Sequence, residues 1–205
     1  MAAKPRAEAS SNESNILDDT SARLAKRLRA ERLARNWSLD EMAQRSGVSR
    51  AMVHRVETGR SSPTAALLGK FSGALELSIP MLFRDEGQGP EDRIMRAQKR
   101  VTWTDPTSGY VREQINAPGT VSLDEKAGPG VTRVTLPPGA KVDYPKSAFT
   151  FLSQIVWVLD GALSLREGDE LHLLYKDDCL TLGDPAEITF ENQSASPCVY
   201  VVMVS

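Results

Sequence analysis

Apolar positions recur at helical spacing across residues 22–84 and at alternate positions in short runs across residues 98–205. In the first stretch Leu24, Leu28 and Leu33 fall near one face, which predicts a helix over 22–36 with Lys26, Arg27, Arg29, Arg32 and Arg35 on its other sides. Ser38-Leu39-Asp40-Glu41 has the spacing of a capping box, so a second helix opens at Ser38 and buries Leu39, Met42 and Ala43. Gly47 takes left-handed backbone readily and stops that helix after about two turns. Ser49 caps a third helix carrying Met52, Val53 and Val56, which Gly59 ends. Ser61-Ser62-Pro63-Thr64 leads into a fourth, with Leu67, Leu68, Phe71 and Leu75, and 79–83 forms a short fifth.

The second stretch reads differently. Runs at 131–136, 154–159, 162–166, 187–191 and 199–204 are β-rich and separated by Gly, Pro and Asp turns, the pattern of a sandwich or barrel. Residues 1–21 offer no apolar face and are expected to be a disordered tail, and the acidic 85–97 is expected to be a linker. The chain is thus predicted to be multi-domain, α plus β: a helical domain over 22–84 and an all-β domain over 98–205.

Charge gains meaning once it is partitioned. The 205 residues hold 25 Lys and Arg against 27 Asp and Glu, a net charge of −2 that speaks against a nucleic-acid binder. Residues 22–84 alone hold 12 basic against 5 acidic residues, net +7, while 98–205 hold 9 against 14, net −5. Such asymmetry points to an anionic partner for the helical half. No apolar run approaches the ~18 residues of a membrane span, and the N-terminus lacks the apolar core of a secretory signal, so a cytoplasmic protein is expected. Cys179 and Cys198 read as reduced core thiols, with a single bridge between them left open. With His54 and His172 the only histidines, a His-rich metal centre is excluded.

Two short helices meeting at Gly47 are the geometry of a helix-turn-helix. On its second helix Arg50, Ala51, His54 and Arg55 share one exposed face, while Val53 and Val56 turn inward. Arg50 and Arg55 are suited to guanine O6 and N7, and Ala51 to a thymine methyl. His54 lies beside them and reads equally as a base contact or a passive surface residue. The amides at the starts of the second and third helices, behind Ser38 and Ser49, suit phosphates.

The stretch LAKRLRAERLARNWSLDEMAQRSGVSRAMVHRVETGRSSPTAALLGKFSGALELSIPMLF resembles the helix-turn-helix domain of XRE (lambda-repressor-like) regulators over about 60 residues without a gap. The resemblance implies a five-helix domain with Arg50, Ala51 and Arg55 at bases, Ser38, Arg60 and Ser61 near phosphate, and an internal ion pair between Arg29 and Glu57. Leu39 departs from a glutamine that often helps anchor DNA in that family.

Residues 98–205 resemble a cupin, a small double-sheet jelly roll. Gln154-Ile-Val-Trp-Val-Leu-Asp-Gly161 matches the strand that carries a metal-binding Glu six residues before a turn Gly, with Gln in the place of Glu. The family's other three ligand positions fall at Ala148, Thr150 and Ile188, so no metal or other cofactor is implied. Asp177 stands where the family prefers Gly, a site Asp tolerates in left-handed backbone. By strand alternation Gln154, Val156 and Val158 point one way and Trp157 the other. A pocket lined by Ala148, Thr150, Gln154, Val156, Ile188 and Phe190 is expected for a small-molecule effector. A filled barrel that serves only to dimerise the chain is the alternative, and a cupin enzyme with an accessory DNA-binding domain a third. The two resemblances imply a non-enzymatic transcriptional regulator, a homodimer on a palindromic double-stranded DNA operator, without membrane association.

Overall fold

A computed structural model of the chain describes residues 8–84, 94–116 and 129–205; most of the expected linker, 85–93, and residues 1–7 of the expected tail lie outside the described residues. Helix α1 runs from Glu8 to Ala34 and is followed by α2 (Leu39–Ser46), α3 (Arg50–Glu57), α4 (Ala65–Leu75) and α5 (Ile79–Leu82). The disordered-tail expectation for 1–21 is therefore corrected from Glu8 onward. That stretch contains neither Gly nor Pro, and adding residues to an existing helix is far easier than nucleating one. Near its end Thr20 is already buried.

Leu24 and Leu28 are in the helical core as expected, but Leu33 is 53% exposed. Successive steps of four place residues 24, 28 and 32 on one face, and 33 lies about 100° away from it. The inward position thus belongs to Arg32, and this corrects the ion pair as well. Arg32 Nε and Nη2 donate to Glu57 Oε1 and Oε2 at 2.7 and 2.8 Å, and Nη1 donates to the Trp37 carbonyl at 2.7 Å. Arg29 is exposed. One buried guanidinium therefore ties α1 to α3 and to the turn before α2.

The β domain comprises β1 (Thr102–Thr104), β2 (Val111–Gln114), β3 (Gly130–Leu136), β4 (Lys141–Tyr144), β5 (Gln154–Asp160), β6 (Ala162–Glu167), β7 (Glu170–Tyr175), β8 (Cys179–Thr181), β9 (Ile188–Glu191) and β10 (Cys198–Val204). They form two antiparallel sheets, ordered β1-β2-β3-β10-β5-β8 and β4-β9-β6-β7. Inward residues alternate along β5, with Gln154, Val156 and Val158 buried and Trp157 exposed. Phe190 of β9 stacks flat on Tyr200 of β10 across the interior, with ring centroids 5.6 Å apart. Gly161 and Asp177 both take the left-handed backbone their motifs require, at φ of 83° and 73°. Both cysteines are free; Cys198 is buried, and burial with the nearby Asp160 charge pushes its thiol up to about 11, whereas Cys179 is exposed rather than in the core.

The two domains meet at a close seam. Helix α4 lies against β4 and the 3-10 turn Lys146–Phe149, α5 against β3, and α1 against β1. A Cβ on Gly69 would stand 2.8 Å from Tyr144 and 2.9 Å from Pro145, and one on Gly73 2.7 Å from the Ser147 carbonyl oxygen. From the barrel side Gly130 approaches Pro80 of α5 in the same way, at 2.9 Å. Phe83 packs on Trp103 across the seam at 6.0 Å.

The corrected ion pair sets a direct contrast. Arg32→Ala leaves Glu57 buried and unpaired and is expected to cost about 3 kcal/mol in urea denaturation, whereas Arg29→Ala is expected to stay within about 0.5 kcal/mol of the parent.

Candidate functional site

The helix-turn-helix is held by local hydrogen bonds that the sequence dictates. Ser38 Oγ accepts from the Glu41 amide at 3.2 Å, and the Ser38 amide donates to Glu41 Oε2 at 2.7 Å. That amide holds the Glu41 carboxyl below its usual range. Gly47 has φ 63° and ψ 28°, the left-handed turn that sets α3 across α2. Ser49 Oγ accepts from the Met52 amide at 3.3 Å, and Thr58 Oγ1 donates back to the His54 carbonyl at 2.7 Å, so α3 is closed at both ends.

Val53, Val56 and Glu57 face the core, leaving Arg50, Ala51, His54 and Arg55 exposed together on the opposite side of α3. Arg50 Nε lies 3.2 Å from Asp40 Oδ1, but both side chains are largely exposed. Such pairs contribute little and are screened by salt, so Arg50 is free to leave Asp40 for a stronger acceptor. Ser38, Ser49 and Arg60 are exposed and Ser61 is half-buried. A further basic feature flanks α2: the Arg45 guanidinium stacks over the Trp37 ring at 4.4 Å, with Arg35 at 5.7 Å. The stacking was not among the sequence expectations, although a tryptophan between the arginine-rich α1 and Arg45 of α2 is a recognisable setting for it.

The barrel holds a cavity of about 30 Å3, part of about 420 Å3 of free space once its open mouth is counted. Of the six residues expected to line a pocket, Ala148, Gln154 and Phe190 line this one. Ile188 lines a neighbouring depression that also touches Gln154. Two expectations are corrected. Val156 is sealed within the core, and Thr150 is exposed, its hydroxyl donating to the Ser147 carbonyl at 3.2 Å. The 3-10 turn explains Thr150: it carries Ala148 and Phe149 inward and turns the next residue out.

Most of the polar lining was not anticipated. Arg112 is only 7% exposed and comes from β2, whose Val-Arg-Glu-Gln sequence shows no apolar alternation to mark its inward face. Its Nη1 donates to Tyr110 Oη at 2.8 Å and its Nη2 to Thr132 Oγ1 at 3.2 Å. Tyr110 Oη and Tyr144 Oη lie 3.1 Å apart. Burial pushes the Tyr144 and Tyr200 hydroxyls well above their ordinary values, so both are neutral donors at physiological pH. Ile79 and Pro80, from α5 of the helical domain, complete the wall.

The positions that the cupin resemblance assigns to a metal do not suit one here. Ala148 and Ile188 have no donor atom, Thr150 faces out, and the amide of Gln154 is a poor ligand for transition metals. The buried guanidinium of Arg112 lines the same cavity and repels a cation.

A family model, Helix-turn-helix, matches residues 28–82. Over these residues the chain is similar to helix-turn-helix domains. The HTH-type transcriptional regulator SutR of Escherichia coli (strain K12) is 41% identical over 54 residues, which are 26% of this chain and 30% of that protein. The chain thus spans about a third of the length of the curated relative it matches. The crystal structure of an HTH_3 family transcriptional regulator from Vibrio cholerae superposes with a TM-score of 0.71 at 22% identity, covering 92% of this chain and 97% of that one. The two-domain fold is therefore shared with that protein. The Cupin_2 domain of an XRE family transcriptional regulator from Enterobacter cloacae aligns with 46% of this chain and 94% of its own length, at 19% identity and a TM-score of 0.39, too slight a likeness to add to this.

The turn can be tested without touching any exposed residue of α3. A Cβ at Gly47 would meet no atom within 4 Å, so the penalty of Gly47→Ala is purely conformational. It is expected to be about 1–2 kcal/mol in chemical denaturation, with Gly47→Asn closer to the parent.

Proposed function

We propose that this protein is a cytoplasmic, non-enzymatic, sequence-specific transcriptional regulator. In this reading it binds a palindromic operator as a homodimer, and its metal-free barrel senses a small metabolite. The observation that carries the DNA-binding role is the exposed quartet Arg50, Ala51, His54 and Arg55 on a capped helix whose other face is locked into the core. Helix α3 enters the major groove, with Arg50 and Arg55 on guanine edges, Ala51 at a thymine methyl and His54 beside them. Ser38, Ser49, Arg60 and Ser61 lie at the phosphates, where helix N-termini add favourable partial charge.

Support for a dimer comes from the barrel. Leu171, Leu173 and Tyr175 alternate along the edge strand β7 and present an exposed apolar stripe, the kind of surface a second copy covers. A two-fold axis there places two copies of α3 on half-sites about one helical turn apart. The acidic barrel repels phosphate while the basic domain approaches it, which orients the molecule on the duplex.

Sensing rests on the cavity at the domain seam, since a molecule held there touches both the barrel and α5. A second reading is favoured by its size: at about 30 Å3 the barrel is nearly full, as a pure dimerisation scaffold would be.

Binding to a selected operator, followed by fluorescence anisotropy, tests the proposal. Arg50→Ala is expected to weaken the operator complex by about 1–3 kcal/mol and relax preference at one base pair. Arg60→Ala is expected to weaken operator and random duplex alike and to reduce the salt slope. Equal loss on both duplexes for Arg50→Ala would place that side chain on phosphate instead.

A further inference from the structure

Of the two most deeply buried arginines among the described residues, one is neutralised and the other is not. Arg32 meets both oxygens of Glu57. Arg112 is buried to a similar degree, yet its hydrogen bonds go to the neutral oxygens of Tyr110 and Thr132. Among the described residues no carboxylate pairs with it. A guanidinium stays charged at any pH the protein meets, and a buried charge without a counter-charge is strongly unfavourable. A guanidinium has five N–H donors, so contacts with Tyr110, Thr132 and the Tyr144 hydroxyl still leave donors unused.

A second polar group lines the same cavity: Gln154, only 8% exposed, brings a side-chain amide to it. The hydroxyls of Tyr110 and Tyr144 form a pair in which Arg112 already donates to Tyr110. If Tyr110 then donates to Tyr144, the Tyr144 proton is left for a third acceptor. A guanidinium edge, an amide N–H and a hydroxyl thus converge on a space walled otherwise by Phe149, Phe190, Val202 and Pro80. This is the donor set of a planar, singly charged oxyanion.

We propose that the cavity binds a small organic carboxylate, its carboxylate held by Arg112 and Gln154 and its short apolar chain running out along Ile79 and Pro80. The proposal rests on the effector reading above and names the chemistry of that effector. The cavity admits a carboxylate group and little more, so the remainder of the ligand extends into the open mouth, where α5 forms a wall. Pro80 also packs against Gly130 of β3, so a longer ligand reaching this wall presses on the contact between α5 and the barrel. Through α5 and the adjoining α4, the DNA-binding domain senses whether the barrel is occupied.

The test uses the full-length dialysed protein and calorimetric titration with straight-chain carboxylates from acetate to hexanoate, their matched primary amides, and inorganic phosphate. One or two neighbouring members of the acid series are expected to bind, with the matched amides and phosphate at least ~100-fold weaker. Arg112→Met is expected to lose the acid by a similar factor. Without ligand it is also expected to melt at the same temperature as the parent or higher, because an unneutralised buried charge has been removed. Arg112→Lys keeps the charge and is expected to retain measurable binding. Acid and amide binding equally well would overturn the carboxylate assignment while leaving an effector in place. No binding by any acid or amide, together with DNA affinity insensitive to all of them and an Arg112→Met protein less stable than the parent, would make Arg112 a structural cation and remove both readings. The acid–amide comparison is made on the parent protein, so it stands even if a variant fails to fold.

Discussion

The arrangement of this molecule depends on how closely glycine backbone packs against the opposing domain at the seam. Helix α4 can lie on β4 and its following turn only because residues 69 and 73 carry no side chain, and α5 can lie on β3 only because residue 130 carries none. Contacts to Tyr144, Pro145, Ser147 and Pro80 would all be violated by a methyl group at those three positions. The helical domain is thereby seated on the barrel rather than tethered beside it. The seating also makes Ile79 and Pro80 part of the cavity wall, so the interior of one domain is finished by the other.

Within each domain the decisive polar group is an arginine turned inward. Arg32 gathers α1, α3 and the turn before α2 around one guanidinium, which fixes the pose of α3 and leaves its opposite face to solvent. Arg112 gathers hydroxyls around a cavity. The first has its counter-charge built in and so belongs to the fold. The second lacks one among the described residues and so belongs, in our reading, to a ligand. Charge is distributed on the larger scale to match the proposed role: the helical domain is basic and the barrel is acidic.

Much of the helical domain could be read directly because its signals are local. The capping box at Ser38, the stop at Gly47 and the cap at Ser49 each involve residues within four positions of one another, and each is present with the expected geometry. Alternation made β5 legible for the same reason, and Asp177 took the left-handed turn its position implied. What failed was non-local or lacked an apolar cue. Leu33 completes a leucine pattern by eye, but helical geometry gives its place to Arg32, and only the partner Glu57, 25 residues away, explains a charge there. Arg112 sits on a strand with no alternating pattern, and its neighbours Tyr144 and Tyr200 come from distant strands. Thr150 was assigned by motif spacing across a segment that turns out to be a 3-10 turn, where spacing no longer reports direction. The role of α5 as a cavity wall is a property of the seam and has no signature within either domain.

The central claim is that two copies of α3 read DNA together, spaced by the barrel. Selection of binding sites from a random duplex library with the full-length protein tests it most directly. The account predicts an enriched inverted repeat whose half-sites are centred about 10 base pairs, or a small multiple of that, apart, with guanines among the preferred bases. Enrichment of no sequence above background, or of a single half-site with no symmetric partner, would contradict it.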